Sequence, residues 1–525
     1  MALGIAAVRN VPLNVEVLGT QRICLKVKSE KELVLVPTPS SDPNDPLRLS
    51  WGEKQSILWT VAVLSFVVSI FGPMVGTSYL QVSSELHKPL DPVVQALSGT
   101  FGMTVGLGAL LTGALGTAYG KRPVFFFSLL LLIGMTFWCY RVRTLPMLAA
   151  TRALQGLAAS GIEIMASSVV VDLFFVHTRG RYLAIIGAVH GIGYLVSQIA
   201  GGFVVQHFGW RDLFSLSGFL LLALVLPVFF LLLETGFSRG DSIGGNESLP
   251  LTDMSHTKRV ISASEVSIDP TIERKSYRQC LSVLSWRSLS PTPFWKLVVR
   301  PVVPLMVFPA VIFGTFVHGL GTVYLHCFGY AKLALFTKAP YSLTPTQIGL
   351  TALPGVVTNL LGYLIGGYAS DMLVTRLSRR NDGMYEPEFR LWLMVPQTIF
   401  STAGFIGFGY FVSHGSSLAL VLASYASVGI SIAFGSLASM TYLMDTMPIA
   451  TVQEAIVSIV VLRSIFNFVA ASKINGFIHH FGVEKVFFGL GMANLAVSLL
   501  TIPFYIFGKR LRYWSSTNKT LQKLL

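Results

Sequence analysis

Twelve segments of this chain are each long and apolar enough to cross a bilayer, and that dictates the solvent in which most of it folds. They cover 57–80, 93–118, 123–140, 145–172, 181–205, 213–234, 299–324, 346–370, 391–412, 417–443, 450–473 and 485–507, the fourth with a second candidate end near Ser167. A helix needs roughly 20 apolar residues to span the hydrocarbon. Lipid offers backbone groups no hydrogen-bond partners, so the spans are expected as helices. With 52% hydrophobic and 12% charged residues, the chain lacks the polar surface of a soluble protein its size.

The spans fall into two groups of six that repeat one another. Gly202-Phe203-Val204-Val205-Gln206-His207-Phe208-Gly209 returns loosely as Gly476-Phe477-Ile478-His479-His480-Phe481-Gly482, each copy before the last span of its half. Gly113 to Lys121-Arg122, with Gly120, follows the second span of the first half; Gly367-Tyr368-Ala369-Ser370-Asp371 to Arg376 follows the second span of the other. The expected fold is an all-α membrane protein of twelve transmembrane helices in two six-helix pseudo-symmetric halves, with a substrate site between them. The divisions are a tail at 1–56, a bundle at 57–234, a polar linker at 235–297, a second bundle at 298–508 and a tail at 509–525. The linker is rich in Ser, Thr and charge and holds Gly244-Gly245, so it cannot bury a core.

The net charge of +14 is read as a topology signal and not as a nucleic-acid surface. With both termini on one side, 29 of the 39 Lys and Arg fall on that side, 8 on the other, and Arg152 and Arg463 inside spans. This bias predicts cytosolic termini and a cytosolic linker; the plasma membrane is expected rather than an internal one. The triplets at Asn246 and Asn518 would then be silent as glycosylation sites. No secretory signal precedes the first span. The cysteines at 24, 139, 280 and 327 show no metal or redox spacing, and Cys139 and Cys327 lie in different halves, which argues against a disulfide.

Charges inside spans are expensive and mark function or pairing. Arg152 and Glu163 share a helix face about 16 Å apart, too far to pair, with Gly156 and Gln155 nearby. Glu163 is the first candidate for binding a proton or a cation, which would compete at one carboxylate. Arg152 divides between gating and structural pairing. Arg463 is expected to pair with a carboxylate or helix-end carbonyls, with anion or substrate contact as the alternative. His190 and His318 are candidate proton relays, against the plainer role of hydrogen-bonded core histidines. Tyr194 lies one turn from His190; Tyr425, Asn359 and Asn467 are further polar candidates. Asp445 and Glu454 are read as gate or helix-cap residues near the cytosolic ends. Gly113, Gly120, Lys121, Arg122, Gly367, Asp371 and Arg376 belong to loops read as cytosolic latches. Glycines such as Gly102, Gly106, Gly108, Gly187 and Gly191 are read first as packing sites.

Several ordered motifs support a family resemblance. They are Asp45-Pro46-Leu47 with Trp51 and Lys54; Arg152-Ala153-Leu154-Gln155-Gly156; Asp172 through His177 and Arg179-Gly180; Arg379-Arg380-Asn381 through Glu386-Pro387-Glu388-Phe389-Arg390-Leu391; Tyr442 to Asp445; and Arg463 to Phe468. Over roughly residues 42–512 the chain resembles the major facilitator superfamily, and within it the fungal twelve-span drug:proton antiporter group. The resemblance implies the major facilitator fold and proton-driven transport without a bound cofactor. Two departures stand out. Thr117 replaces the loop Asp, which the second-half copy keeps as Asp371, so the gate would lean on the C-terminal half. Ser197-Gln198 stands where the antiporters carry Gly-Pro, which leaves symport or facilitation open.

The expected function is secondary active transport of a small organic molecule (a drug, toxin, secondary metabolite or polyamine), by a chain acting as a monomer in the lipid bilayer. Glu163 is the one sequence reason to prefer a cation. Uptake of an organic cation and a non-transporting nutrient sensor are the alternatives, the short tail after Phe507 disfavouring the sensor. No phosphate-binding loop, nucleophile elbow or zinc-protease pair is present, so direct ATP drive and enzyme chemistry are not expected.

Overall fold

The computed structural model describes residues 21–22, 40, 42–174, 176–237, 271, 273–282, 292–381, 384–447 and 451–517. Cys24, the triplets at Asn246 and Asn518, and most of the linker lie outside the described residues, as do the side chains of His177 and Arg179. Twelve helices among the described residues are long and apolar enough to span a membrane. We label them α1 (Trp51–Thr77), α2 (Leu90–Tyr119), α3 (Lys121–Tyr140), α4 (Leu145–Leu173), α5 (Ile185–His207), α6 (Trp210–Leu231), α7 (Pro309–Phe336), α8 (Pro345–Arg380), α9 (Pro387–Ser413), α10 (Leu418–Thr446), α11 (Val452–Phe481) and α12 (Val483–Ser515). The described residues nearest the two chain ends, the α2–α3 turn and the α8–α9 connection share one end of the molecule, called here the termini side; the opposite end is the far side.

Local chemistry sets the start of α1. Ser50 Oγ accepts from the Glu53 amide, and the Glu53 carboxylate accepts from the Ser50 amide at 2.8 Å, a reciprocal cap. Ahead of it, Asp45 Oδ1 accepts from Leu47 N at 3.0 Å, and Lys54 Nζ donates to Leu47 O at 2.8 Å. The repeated glycines have a common cause. Gly209 and Gly482, at φ of 101° and 84°, turn α5 into α6 and α11 into α12 in a conformation that disfavours other residues. The second shared motif puts Gly120, at φ 102°, between α2 and α3. A two-residue antiparallel pair, β1 (Gln21–Arg22) with β2 (Met384–Tyr385), links the N-terminal tail to the α8–α9 connection.

The seventh span departs from its expected place. An apolar run begins near 299, but Pro301, Pro304 and Pro309 divide it into short helices, Phe294–Val299 and Val302–Val307, with Phe308 extended at φ −110° and ψ 108°. Proline removes an amide donor and clashes with the preceding turn. The membrane helix therefore starts at Pro309 and carries on to Phe336, beyond the expected end at 324. His326, Tyr330 and Lys332, read as lying beyond the span, sit inside it. The fourth span does not stop at Ser167 but continues to Leu173.

Small residues let helices approach within and between halves. A Cβ at Gly108 would lie 2.5 Å from Ser160 Oγ of α4, and one at Gly404 would lie 2.8 Å from Ser424 O of α10. Between the halves, α2 lies along α11, where Gly99 faces Ala471, Gly102 faces Asn467, Gly106 faces Ser464 and Gly113 faces Val457. The exchanged pair, α5 and α8, meets at the far side, where Gly202 abuts Pro345 and Gly349 abuts Gln198.

Candidate functional site

A cavity of about 390 Å³ lies between the halves. The α5–α8 contacts at Gly202 and Gly349 close its far side. Toward the termini side its wall runs through Ser167, Gly187 and Met444, and nothing comes within 4 Å of a Cβ at Gly187. Glu163, His190, Tyr194, His318, Asn359, Arg463 and Asn467 line it, so residues from α4, α5, α7, α8 and α11 converge on one space.

The central feature is an ion pair across the seam. Arg463 Nη2 of α11 donates to Glu163 Oε1 of α4 at 2.8 Å, with side chains 17% and 22% exposed. The carboxylate partner expected for Arg463 is thus the residue first considered for a cation. His318 of α7 places Nδ1 3.2 Å from Ser436 Oγ of α10. On α11, Asn467 Oδ1 accepts from Tyr330 OH at 3.0 Å and faces His326 Nδ1 at 2.7 Å, an arrangement that puts the ring proton on Nδ1. Asn359 Oδ1 is buried with no hydrogen-bond partner among the described residues. Buried acceptors without partners are costly, and a ligand donor would satisfy this one.

Arg152 and Gln155 lie outside the cavity, sealed in the first half and both 0% exposed. Arg152 donates to Leu97 O (2.7 Å), Phe71 O (2.9 Å) and Gln155 Oε1 (2.8 Å), with its guanidinium 4.4 Å from the Phe101 ring centre. Phe71 ends the α-helical part of α1 and Leu97 sits in a π-helical turn of α2. An arginine supplies donors to carbonyls where helices in lipid are irregular.

Sequence reasoning missed His326, Tyr330, Lys332, Gln198 and Ser436 as lining groups. For His326 the signal was present: continuing the helix at 3.6 residues per turn from His318 brings Thr322 and His326 toward one face. Lys332 is the most unusual. It is 3% exposed, donates to Gln198 Oε1 of α5 at 3.1 Å and lies 4.7 Å from the centre of the Tyr425 ring.

The latch loops sit at the termini side. Glu234 accepts from the amides of Lys121 (2.9 Å) and Arg122 (3.0 Å), capping α3 at its N-terminus. Lys121 pairs with Asp172, and Arg122 donates to Phe229 O at 2.6 Å and Cys280 O at 2.5 Å. Among the described residues Thr117 Oγ1 bonds only back to Gly113 O, at 3.1 Å. Asp371 and Arg376 are exposed and join no ion pair among the described residues. In the second half the charges instead meet at Arg390, which pairs with Asp445 at 2.6 Å and reaches Ser370 Oγ at 3.1 Å, while Tyr385 donates to the same Asp445 oxygen. Burial and the Asp445 carboxylate push the Tyr385 phenol upward from its ordinary value. Ser168 of α4 and Gln453 of α11 bond across the seam at 2.8 Å. Cys139 and Cys327 are free thiols, both buried.

Comparison with known proteins agrees with this geometry. The family model described as Major Facilitator Superfamily matches residues 57–472. An uncharacterized MFS-type transporter of Schizosaccharomyces pombe is 25% identical over 93% of this chain and 90% of its own length. Protein HOL1 of Saccharomyces cerevisiae is 20% identical over 93% and 92%, respectively. Multidrug transporter DTR1 of Candida glabrata is 26% identical over 88% and 90%.

Proposed function

Because the chain belongs to the Major Facilitator Superfamily, a family of membrane transporters and not of enzymes, we propose that it exports a small organic molecule in exchange for protons, working by alternating access as a monomer with both termini in the cytosol. The observation that carries this reading is the Glu163–Arg463 pair, which lines the cavity and joins the two halves. A proton on Glu163 discharges the pair and removes one tie between α4 and α11. Proton binding then favours the arrangement in which the halves have moved relative to each other, and a ligand can shift that balance only by its differential affinity for the two states. The Lys and Arg bias supports the orientation. With that orientation the closed far side faces outward. The relative named as a multidrug transporter supports drug-like molecules as the cargo.

Uptake coupled to protons is the second reading. Ser197-Gln198 in α5, in place of the antiporters' Gly-Pro, favours it.

The test is flux of a labelled panel (polyamines, lipophilic cations, neutral drugs and organic acids) in proteoliposomes, with and without an imposed pH gradient. Substrate and protons moving in opposite directions is the expected result. Movement in the same direction would replace export with uptake. No gradient-dependent flux of any class would turn the reading toward a ligand sensor on the same scaffold.

A further inference from the structure

The charges lining the cavity do not balance. Glu163 is occupied by Arg463. Lys332 lines the same cavity and joins no carboxylate among the described residues. It is 3% exposed inside a membrane helix, where an unneutralised ammonium is costly. Its amine can donate three hydrogen bonds, and among the described residues it uses one, to Gln198 Oε1 at 3.1 Å. The Tyr425 ring at 4.7 Å gives partial compensation as a cation–π contact. An amide oxygen and an aromatic face soften the charge; neither cancels it.

We propose that the transported molecule carries a carboxylate, and that Lys332 is its anchor. The proposal rests on the transport reading above and narrows its substrate class. The cation preference drawn from Glu163 does not survive the pairing of that residue, since the net charge left on the paired and unpaired groups is positive. Position supports the assignment as well. Gly319 of α7 is level with Arg463, its Cβ position 3.6 Å from Arg463 Cβ. Lys332 is thirteen residues further along the helix, about 20 Å toward the far side. The anchor is therefore separate from the ion pair, and a cargo anion need not displace Arg463. The Lys332–Gln198 bond crosses from α7 to α5, so it also ties the halves together on the far side. An anion that binds the two unused donors draws the ammonium toward itself and weakens the bond to Gln198, which links cargo binding to opening at the end where cargo must leave.

The experiment uses the purified full-length protein in lipid nanodiscs and reads thermal shift and binding. The probes are 4-phenylbutyrate and decanoate, each beside the amine and the alcohol of the same skeleton. The carboxylates are expected to bind more tightly than their amines and alcohols. Lys332→Met is expected to weaken carboxylate binding at least tenfold and to leave the alcohols unchanged. Gln198→Glu supplies an internal carboxylate 3.1 Å from the amine in place of the amide oxygen and is expected to have the same effect in a stably folded protein. It keeps the test open if Lys332→Met does not fold. Preferential binding of the amines, carboxylate binding no better than that of the alcohols, or carboxylate binding that is unchanged in a folded variant would each overturn the proposal. Flux separates the two ideas. Lys332-dependent carboxylate binding without gradient-driven movement of any panel compound would defeat the transport reading alone. Proton-coupled movement of amines indifferent to Lys332 would defeat the anchor alone.

Discussion

Glu163 and Arg463 stand 300 residues apart in the chain and 2.8 Å apart in space, one from each half. Among the described residues neither forms an ion pair within its own bundle. Each half therefore holds a charge whose neutralisation depends on how the other half is placed.

Removing one member should cost more than removing both. Breaking a buried ion pair from one side costs about 3–5 kcal/mol when the remaining charge is dry, and less here because the cavity partly exposes both groups. Glu163→Gln is expected to reach the membrane, lower the melting temperature and reduce gradient-driven transport. Adding Arg463→Gln should restore most of the stability without restoring transport. Transport of Glu163→Gln at the normal rate across all pH values would end its coupling role.

Thr117 tests the latch. It is exposed and bonds only to its own helix at Gly113 O. Thr117→Asp should change stability by no more than about 0.5 kcal/mol. The new carboxylate stands four residues before Lys121, whose amine is held by Asp172, so a change in turnover at unchanged expression is expected. Loss of folding would mean that the loop carries a constraint its exposure does not reveal.

Much of this architecture could be read from the residues, and the limits have physical causes. Bilayer thickness imposes a length on each apolar run, so the helices were visible, as was the turn glycine that Gly209 and Gly482 share. The seventh helix begins later than its apolar run because the prolines at 301, 304 and 309 decide where a helix can start. With the helix ended at 324, Lys332 falls beyond the span and its buried contact with Gln198 is not visible in the sequence. Glu163 and Arg463 were each legible as costly charges. Their pairing was not, because helical periodicity gives the face of a residue and never the neighbour across a seam.

On the termini side, Arg512 holds two carboxylates at once. It lies 2.7 Å from Glu386 and 2.8 Å from Glu388, whose side chains are 0% and 4% exposed. Glu386 also has Lys509 at 2.8 Å; Glu388 has no second ion-pair partner among the described residues. Arg512→Ala should destabilise the protein by about 3–5 kcal/mol, as expected for a buried carboxylate left uncompensated. Arg512→Lys should recover only part of this, since a point charge cannot reproduce the two-pronged contact. Thermal unfolding of the two variants would check both.

Acid should weaken the far side through Glu85. The Trp210 indole N–H at 2.6 Å, and after it Arg211 at 2.5 Å, hold the Glu85 carboxyl below the usual carboxylate range. A carboxyl depressed by folding stabilises the native state above its unfolded value of about 4.3. That contribution fades as pH falls through the lower folded value. Glu85→Gln should flatten this acid limb and leave stability unchanged in its pH dependence above pH 6. Because the Glu85 side chain is 42% exposed, solvent screening should keep the effect below about 1 kcal/mol. Melting temperatures from pH 3 to 7 would show it.

Glycines at the seam and within a half should fail in different ways. A methyl at Gly202 of α5 would overlap Pro345 O of α8, a contact between halves on the closed far side. A methyl at Gly404 would press on Val428 and on Ser424 O, at 2.8 Å, inside the second half. A methyl at Gly134 would meet nothing within 4 Å, so Gly134→Ala should gain the helix propensity of alanine, up to about 1 kcal/mol. Gly404→Ala must push two packed helices apart and should destabilise by about 1–3 kcal/mol. Gly202→Ala can relieve its overlap by separating α5 from α8, the opening that the proposed alternating access requires. It should therefore fold and shift the population toward the far-side-open state. Labelling of a Thr77→Cys reporter, which lines the cavity, by an impermeant thiol reagent from the far side measures that shift. Faster labelling with Gly202→Ala than without it is expected. Unchanged labelling in a folded protein would show that the far-side contact is not what holds the halves together there.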